Sequence, residues 1–149
     1  MTYNRIAKKI YHTGINVSDM DRALHFYVDL LGCQIKLDIE CKGEELDRGL
    51  NLDECCFRLV YLQIGSDEIE LFQHRSGPKK SSADSSTSTI GIRHLGFVVH
   101  DIDESYRTLS QAGVHFLSEP IHNADGVKWV YLRDPDDYYV ELVQLPKKN

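Results

Sequence analysis

The sequence predicts an α+β fold built from two tandem βαβββ modules, because it contains an internal repeat and both helical and strand periodicity. Residues 10–21 and 92–103 lie 82 positions apart and match at six of twelve places. A second shared pattern follows each copy, with Val-Tyr-Leu at 60–62 and 130–132 and Glu-Leu at 70–71 and 141–142. Two copies at so long a period indicate a duplicated module rather than a solenoid.

The first module begins with a strand that leads into a helix. Residues 10–17 alternate between two faces, which is typical of a half-buried strand. Ser18 or Asp19 then provides a helix N-cap, and apolar residues recur at helical spacing until Gly32. Further strands are predicted at 33–39, 57–64 and 68–74, with a hairpin turn at 65–67. Between them lies an acidic segment, 40–54, in which Gly43 and Gly49 are expected to break regular structure.

A Gly-Pro pair and a Ser/Thr-rich run make residues 76–91 the predicted flexible linker. Module one then covers 8–75 and module two 92–146, within one domain of residues 1–149. The second module repeats the order, with a strand at 92–99, a helix at about 101–112, and strands at 114–118, 127–132 and 138–144. We expect the two sheets to bend into a half-open, mixed, barrel-like sheet with the helices outside.

Composition narrows the classes of partner. A hydrophobic fraction of 42% and a charged fraction of 27% describe an ordinary globular domain. The net charge of −6, without a Lys/Arg stripe, argues against nucleic acid and anionic membranes as partners. No apolar run approaches the roughly 20 residues of a membrane span, and the N-terminus lacks a signal peptide pattern. Four cysteines without a Cys-x-x-Cys pair predict a reduced, cytoplasmic setting.

Each module carries one histidine on its first strand and one glutamate on its last. If Leu95 and Phe97 pack under the helix, alternation sends His94 to the opposite, concave face. The same argument applied to the other strands gives four inward side chains: His12, Glu70, His94 and Glu141. Gly14 and Gly96, each two residues beyond a histidine, would leave room beside them.

Two imidazoles and two carboxylates suit one divalent transition metal, namely Ni, Zn, Co, Mn or Fe. In an octahedral shell, two positions would remain for water or for oxygens of a small-molecule substrate. Such a site acts as a Lewis acid. Of the other histidines, only His74, at a strand end, is expected near the rim of such a pocket.

At these residues the chain resembles the vicinal oxygen chelate superfamily, also called the glyoxalase/bleomycin resistance/dioxygenase superfamily. The resemblance runs from about residue 10 to residue 145 and lies in five segments: YHTGINV at 11–17, IEL at 69–71, RHLGFVV at 93–99, DPD at 134–136 and VEL at 140–142. It implies that the metal positions of the family fall on His12, Glu70, His94 and Glu141. One departure is Asp137, where the family often has glycine.

The resemblance implies a metal-dependent lyase or isomerase nearest to glyoxalase I-like members, which acts through a metal-stabilised enediolate of a small carbonyl or thioester substrate. Glu141 is then the first catalytic base and Glu70 the second. Three alternatives stay open: a methylmalonyl-CoA epimerase-like isomerase, an Fe(II) extradiol-type dioxygenase, which would need Glu70 off the metal, and a metal-free binding or resistance protein.

Other groups bear on the choice of reaction. An epimerase would need an unligated base, for which the sequence offers Glu68, Glu44 or Glu45. A glutathione-type substrate would need cations, which are available at Arg5, Arg48, Arg58 and Arg93. The resemblance also implies a homodimer, and it leaves open whether the ligands of the two modules meet within one chain or across the dimer.

Overall fold

A computed structural model describes residues 9–77, 88 and 90–147. Most of the predicted linker, residues 78–87 and 89, lies outside this part of the chain. The chain separates into two compact units, residues 1–80 and 81–149, and each is described here by itself.

Unit one contains a four-stranded mixed sheet. Its strands are β1 (Thr13–Asn16), β2 (Gln34–Lys42), β3 (Cys56–Ile64) and β4 (Asp67–His74), in the order β1-β4-β3-β2. Strand β1 is parallel to β4, and the other pairs are antiparallel. Helix α1 (Met20–Leu24) continues as a π-helical segment (His25–Leu30), and α2 (Glu44–Leu50) follows β2.

Unit two repeats this topology. Its strands are β5 (His94–Val98), β6 (Ile121–His122), β7 (Lys128–Arg133) and β8 (Tyr139–Gln144), in the order β5-β8-β7-β6. Helix α3 (Ile102–Gln111) connects β5 to the rest of the unit, and β5 is parallel to β8. The predicted α+β class with two βαβββ modules is therefore confirmed.

The repeated aspartates begin the two main helices. Asp19 accepts a hydrogen bond from the Arg22 backbone N–H, and Asp101 accepts one from that of Glu104, each at 2.9 Å. These bonds satisfy backbone donors that the first helical turn leaves unpaired. Gly32 and Gly113 follow the helices with φ of 82° and 84°, a left-handed conformation that glycine adopts without strain.

Replacing Asp101 with alanine is expected to lower the free energy of unfolding by about 1 kcal/mol, because the N-terminus of α3 loses its capping acceptor. Urea unfolding of the full chain measures this loss. Asp101→Asn is the matched control, since its side-chain oxygen still accepts the bond and stability should change little. An alanine variant as stable as the wild type would show that the cap contributes nothing.

Two parts of the predicted order were wrong. The acidic segment 40–54 is not free of regular structure, because β2 runs to Lys42 and α2 occupies Glu44–Leu50. Three acidic residues in its first turn interact favourably with the positive end of the helix dipole, and Gly49 is tolerated inside it. The predicted strand 114–118 is also absent. Phe116 forms a single bridge to Leu132, and the strand that pairs with β7 on the edge away from β8 is Ile121–His122.

Each sheet has one face that is buried and one that carries the predicted ligands. The buried face of unit one holds Val60, Leu62, Ile69 and Leu71, and that of unit two holds Val130, Leu132, Val140 and Leu142; none of the eight is more than 3% exposed. Alternation then places Tyr61 and Glu70 on the opposite face of unit one. We call this the site face; in unit two the site face carries Tyr131 and Glu141.

Candidate metal centre

In both units the strand register brings the predicted glutamate beside the histidine strand. Gly14 is paired with Glu70 in one sheet, and Gly96 with Glu141 in the other. Because neighbours across a register share a face, the histidine two residues before each glycine falls on the face of its glutamate. His12 lies immediately before β1, not within it as predicted, whereas His94 is the first residue of β5.

The first pair is close and partly enclosed. Nε2 of His12 lies 3.1 Å from Oε2 of Glu70, and the Glu70 side chain is only 5% exposed while that of His12 is 34% exposed. Nδ1 of His12 is buried without a hydrogen-bond partner in the described structure. A buried carboxylate needs a polar partner such as the His12 imidazole, because burying a polar group without one is costly.

The second pair has the same arrangement but is more open. Nε2 of His94 lies 3.4 Å from Oε2 of Glu141, with 42% of the His94 side chain and 21% of the Glu141 side chain exposed. A Cβ atom added at Gly96 would come within 3.6 Å of the same carboxylate oxygen. An added Cβ would therefore make only an ordinary van der Waals contact with the carboxylate, and the predicted role of the glycine in leaving room beside the ligands stays a prediction.

The donor chemistry of both pairs fits a divalent transition metal. Each unit aims one imidazole nitrogen and one carboxylate oxygen at each other, and these are the donors that zinc, nickel, cobalt, manganese and iron accept. Within the described residues of either unit, no group of three or more His, Cys, Asp or Glu side chains is close enough to hold one ion. The structure therefore assembles the four predicted ligands as two pairs, and their convergence stays a prediction.

Two tyrosines belong to these pairs and were missed by the sequence argument. Tyr61 is paired with Glu70 across β3 and β4, and its interaction with that carboxylate raises the pKa of Tyr61 to about 12. Tyr131 is paired with Glu141 across β7 and β8. Burial, and then the charge of Glu141, raise the pKa of Tyr131.

Tyr131 also contacts the histidine of its unit. Its hydroxyl oxygen lies 3.4 Å from Nδ1 of His94, and the two rings meet edge to face with centroids 5.2 Å apart. The signal for both tyrosines was present in the repeated Val-Tyr-Leu motif. We used that motif only as a mark of duplication, although alternation places its central residue on the face of the glutamates.

Glu68 is a further acidic group on the site face of unit one. It lies two residues before Glu70 on β4 and is paired with Gln63. Its Oε2 atom is buried and has no hydrogen-bond partner among the residues that the structure describes. Of the alternative bases considered from the sequence, Glu44 starts α2 at a surface cleft that contains none of the predicted ligands.

The four arginines considered for binding a glutathione-type substrate lie in different parts of the structure. Arg58 lies on the buried face of its sheet, where it binds Asp38 at 2.7 Å and Asp21 at 3.1 Å. It is therefore not directed at the site face. Arg48 lines the surface cleft beside α2, and Arg93 donates to the Ile90 carbonyl at 3.1 Å. Arg5 lies outside the described residues.

One arginine that the sequence argument did not consider lies on the site face of unit two. Arg133 is paired with Tyr139, and its guanidinium carbon sits 3.6 Å from the centroid of that ring. Tyr139 is in turn paired with His94 across β8 and β5. Stacking on an aromatic ring stabilises a cation and holds it in place.

His74, expected at a pocket rim, ends β4 on the site face of unit one with its ring 5.2 Å from that of Phe57.

Two βαβββ units, each with a paired histidine and glutamate on one face of its sheet, define a duplicated fold of the vicinal oxygen chelate type. The family model for the glyoxalase/bleomycin resistance protein/dioxygenase superfamily matches residues 9–142. The chain belongs to this superfamily, whose members generally bind a divalent metal.

Relatives and solved structures agree with this assignment. A 2-epi-5-epi-valiolone epimerase of an Actinomyces species is 28% identical over 94% of this chain and 81% of its own. A probable lactoylglutathione lyase of Synechocystis is 27% identical over 94% of this chain and 98% of its own. The structure of a glyoxalase family protein from Bacillus cereus superposes with a TM-score of 0.87 at 21% identity. The match covers 99% of both chains and supports the fold alone.

Among the described helices, none has the length and apolar character needed to cross a membrane.

Proposed function

We propose that this protein is a metal-dependent lyase or isomerase that removes a proton from the carbon next to a carbonyl or thioester group and passes through an enediolate. The observation that carries the proposal is the duplicated pair of imidazole and carboxylate, at 3.1 Å in one unit and 3.4 Å in the other. A pair that recurs at the same register in both halves supports a shared role, whereas a single surface pair would carry little weight.

The residues proposed to hold one divalent cation (Ni, Zn, Co, Mn or Fe) are His12, Glu70, His94 and Glu141. When bound, the cation supplies Lewis acidity that stabilises negative charge on adjacent substrate oxygens. Whether the two pairs meet within one chain or across a homodimer is left open by the proposal. The proposal also places the protein in the cytoplasm.

Glu141 is the proposed base. Glu70 is the more enclosed of the two carboxylates and is proposed to act mainly as a ligand. The Glu141 side chain is 21% exposed and that of Glu70 is 5% exposed. Glu70 also lies directly across from Tyr61 on the site face. A general base must reach the substrate carbon, and the more exposed carboxylate has the easier access. In the proposed lyase step, Glu141 takes the proton from the hydroxyl-bearing carbon and returns it to the neighbouring carbonyl carbon, while the hydroxyl proton passes to the former carbonyl oxygen.

A second candidate reaction is epimerisation, which one observation favours. An epimerase removes a proton from one side of a carbon and delivers a proton to the other side, so it needs a second acid. Glu68 shares the site face with Glu70, and its Oε2 is buried and unpartnered in the described structure. Arg58, one of the four arginines considered for a glutathione adduct, is held by two aspartates on the other face.

Metal analysis combined with a substrate screen tests the proposal. Purified protein, loaded separately with each of the five metals, is assayed with the methylglyoxal–glutathione hemithioacetal, methylmalonyl-CoA, 2-epi-5-epi-valiolone and catechol. We expect turnover of a carbonyl or thioester substrate. Aerobic cleavage of catechol with Fe(II) would instead identify a dioxygenase, and a protein that retains no metal would identify a binding or resistance protein.

If the reaction is an epimerisation, replacing Glu68 with glutamine is expected to lower its rate by about 10²- to 10⁴-fold, because an amide cannot deliver the second proton. Exchange of the substrate proton in D₂O should persist, since Glu141 still removes it. Asp67→Asn, an exposed neighbour on the same strand, is the control. Unchanged epimerisation by the glutamine variant would remove Glu68 from the mechanism.

A further inference from the structure

The two tyrosines of the repeated Val-Tyr-Leu motif occupy equivalent positions but make different bonds. In the register of each unit, the tyrosine is paired with the glutamate, which is paired in turn with the glycine of the histidine strand. Tyr61 lies directly across from Glu70 on the site face, and interaction with that carboxylate raises the pKa of Tyr61, whereas the hydroxyl of Tyr131 lies 3.4 Å from Nδ1 of His94.

We propose that Tyr61 and Tyr131 are positioning residues for the cation site, Tyr61 by orienting the Glu70 carboxylate and Tyr131 by satisfying Nδ1 of His94 while Nε2 is free to bind. This inference rests on the proposed function. Hydrogen-bond partners of the ligands fix ligand orientation and histidine tautomer, and their removal typically weakens metal binding by about 10- to 100-fold.

The argument for Tyr61 is that the Glu70 carboxylate has few other anchors. Its Oε2 faces Nε2 of His12 at 3.1 Å, and the side chain is 5% exposed, so water offers little hydrogen bonding. If a cation takes the place of that contact, the phenolic hydroxyl remains to hold the carboxylate in one rotamer. Without the hydroxyl, the Glu70 side chain would be mobile before binding. It would then lose that rotational freedom when it binds the cation, at a cost in side-chain entropy.

The argument for Tyr131 rests on the dual character of a hydroxyl group, which both donates and accepts hydrogen bonds. Nε2 of His94 lies 3.4 Å from the Glu141 carboxylate, and Nδ1 lies 3.4 Å from the Tyr131 hydroxyl, so a ring protonated at Nε2 can accept the hydroxyl proton at Nδ1. When Nε2 binds a cation, Nδ1 carries the proton and donates to the same hydroxyl oxygen. Tyr131 thus serves Nδ1 in both states, while Nδ1 of His12 has no such partner in the described structure.

The test is a Zn²⁺ titration of the metal-free full-length protein in competition with a chromophoric chelator. Tyr61→Phe and Tyr131→Phe are each expected to raise the Kd for zinc by about 10- to 100-fold. Because they act on different ligands, the double variant should show roughly the product of the two effects. Tyr106→Phe, which removes a hydroxyl from α3 in unit two, is the matched control and should bind as the wild type does.

A second readout separates positioning from loss of stability. In the zinc-loaded wild type, the Nδ1 proton of His94 should give a downfield ¹H NMR signal, protected by its bond to Tyr131; it should vanish in Tyr131→Phe and persist in Tyr61→Phe. Melting temperatures of the metal-free variants confirm that they fold. Variants that bind zinc within twofold of the wild type, or an unchanged NMR signal, would overturn the inference alone. A wild type that binds no zinc would overturn the proposed function as well.

Discussion

Replacing Glu141 with glutamine is expected to lower kcat by about 10²- to 10⁴-fold on whichever carbonyl or thioester substrate the protein turns over. Glutamine keeps an oxygen that can bind a cation but cannot take a proton from carbon. The loss should therefore fall on kcat, with bound metal retained. Steady-state kinetics of the metal-loaded variant measure it, with metal content determined on the same sample.

Glu70→Gln and Glu119→Gln complete this experiment. Glu119 is exposed in unit two and has no place in the site, so its variant should have wild-type activity. Glu70 is buried and lies across from Tyr61, so its amide variant should lose metal affinity more than it loses kcat. If Glu70→Gln instead abolished proton removal while Glu141→Gln retained it, the roles of the two carboxylates would be reversed.

Replacing either His12 or His94 with alanine is expected to raise the Kd for the bound metal by about 10³-fold or more, which corresponds to about 4 kcal/mol. Each substitution removes a nitrogen donor that the remaining carboxylate cannot replace. Competition titration of the purified variants measures the change. The controls are His25→Ala and His122→Ala, since these exposed histidines bind Asp29 and Asp103 instead. A His94 variant with wild-type affinity would exclude that residue from the site.

The repeat made most of the fold predictable. Because residues 10–21 recur at 92–103, the same strand and helix start are predicted in both modules. Asp19 is one of the two N-caps predicted for the first helix, and Asp101 lies where the second helix was predicted to begin. Period-two alternation then assigned the faces of the sheets correctly, as the burial of Leu71 and Leu142 shows. Local pattern and tertiary packing agree in these elements.

The parts that were missed have no counterpart in the repeat. Helix α2 has no counterpart among the described residues of unit two. Gly43 and Gly49 suggested a loop there, although Gly43 precedes the helix and Gly49 is simply tolerated within it. The chain at 114–118 has strand-like alternation, but it forms a single bridge through Phe116; β7 pairs with β8 along one edge, and Ile121 and His122 form the strand on its other edge. Pairing partners of this kind are not visible in local periodicity.

The site was predictable to the extent that register can be inferred. Alternation gives the face of a side chain but not its position along the strand, so His12 with Glu70 and His94 with Glu141 were expected on common faces without a distance. The tyrosine contacts depend on register between strands that are far apart in sequence, as for Tyr131 and His94. Nothing in the chain's local pattern specifies such a pairing.

The most direct test of the account is the metal stoichiometry of the wild type and of the His12→Ala and His94→Ala variants, measured by elemental analysis after loading and desalting. The account predicts one divalent ion per chain in the wild type and essentially none in either variant, because each unit supplies half of one shared site. Two ions per chain in the wild type, with each variant losing only one, would mean that the two pairs bind separately. That result would contradict the single four-ligand centre on which the proposed chemistry depends.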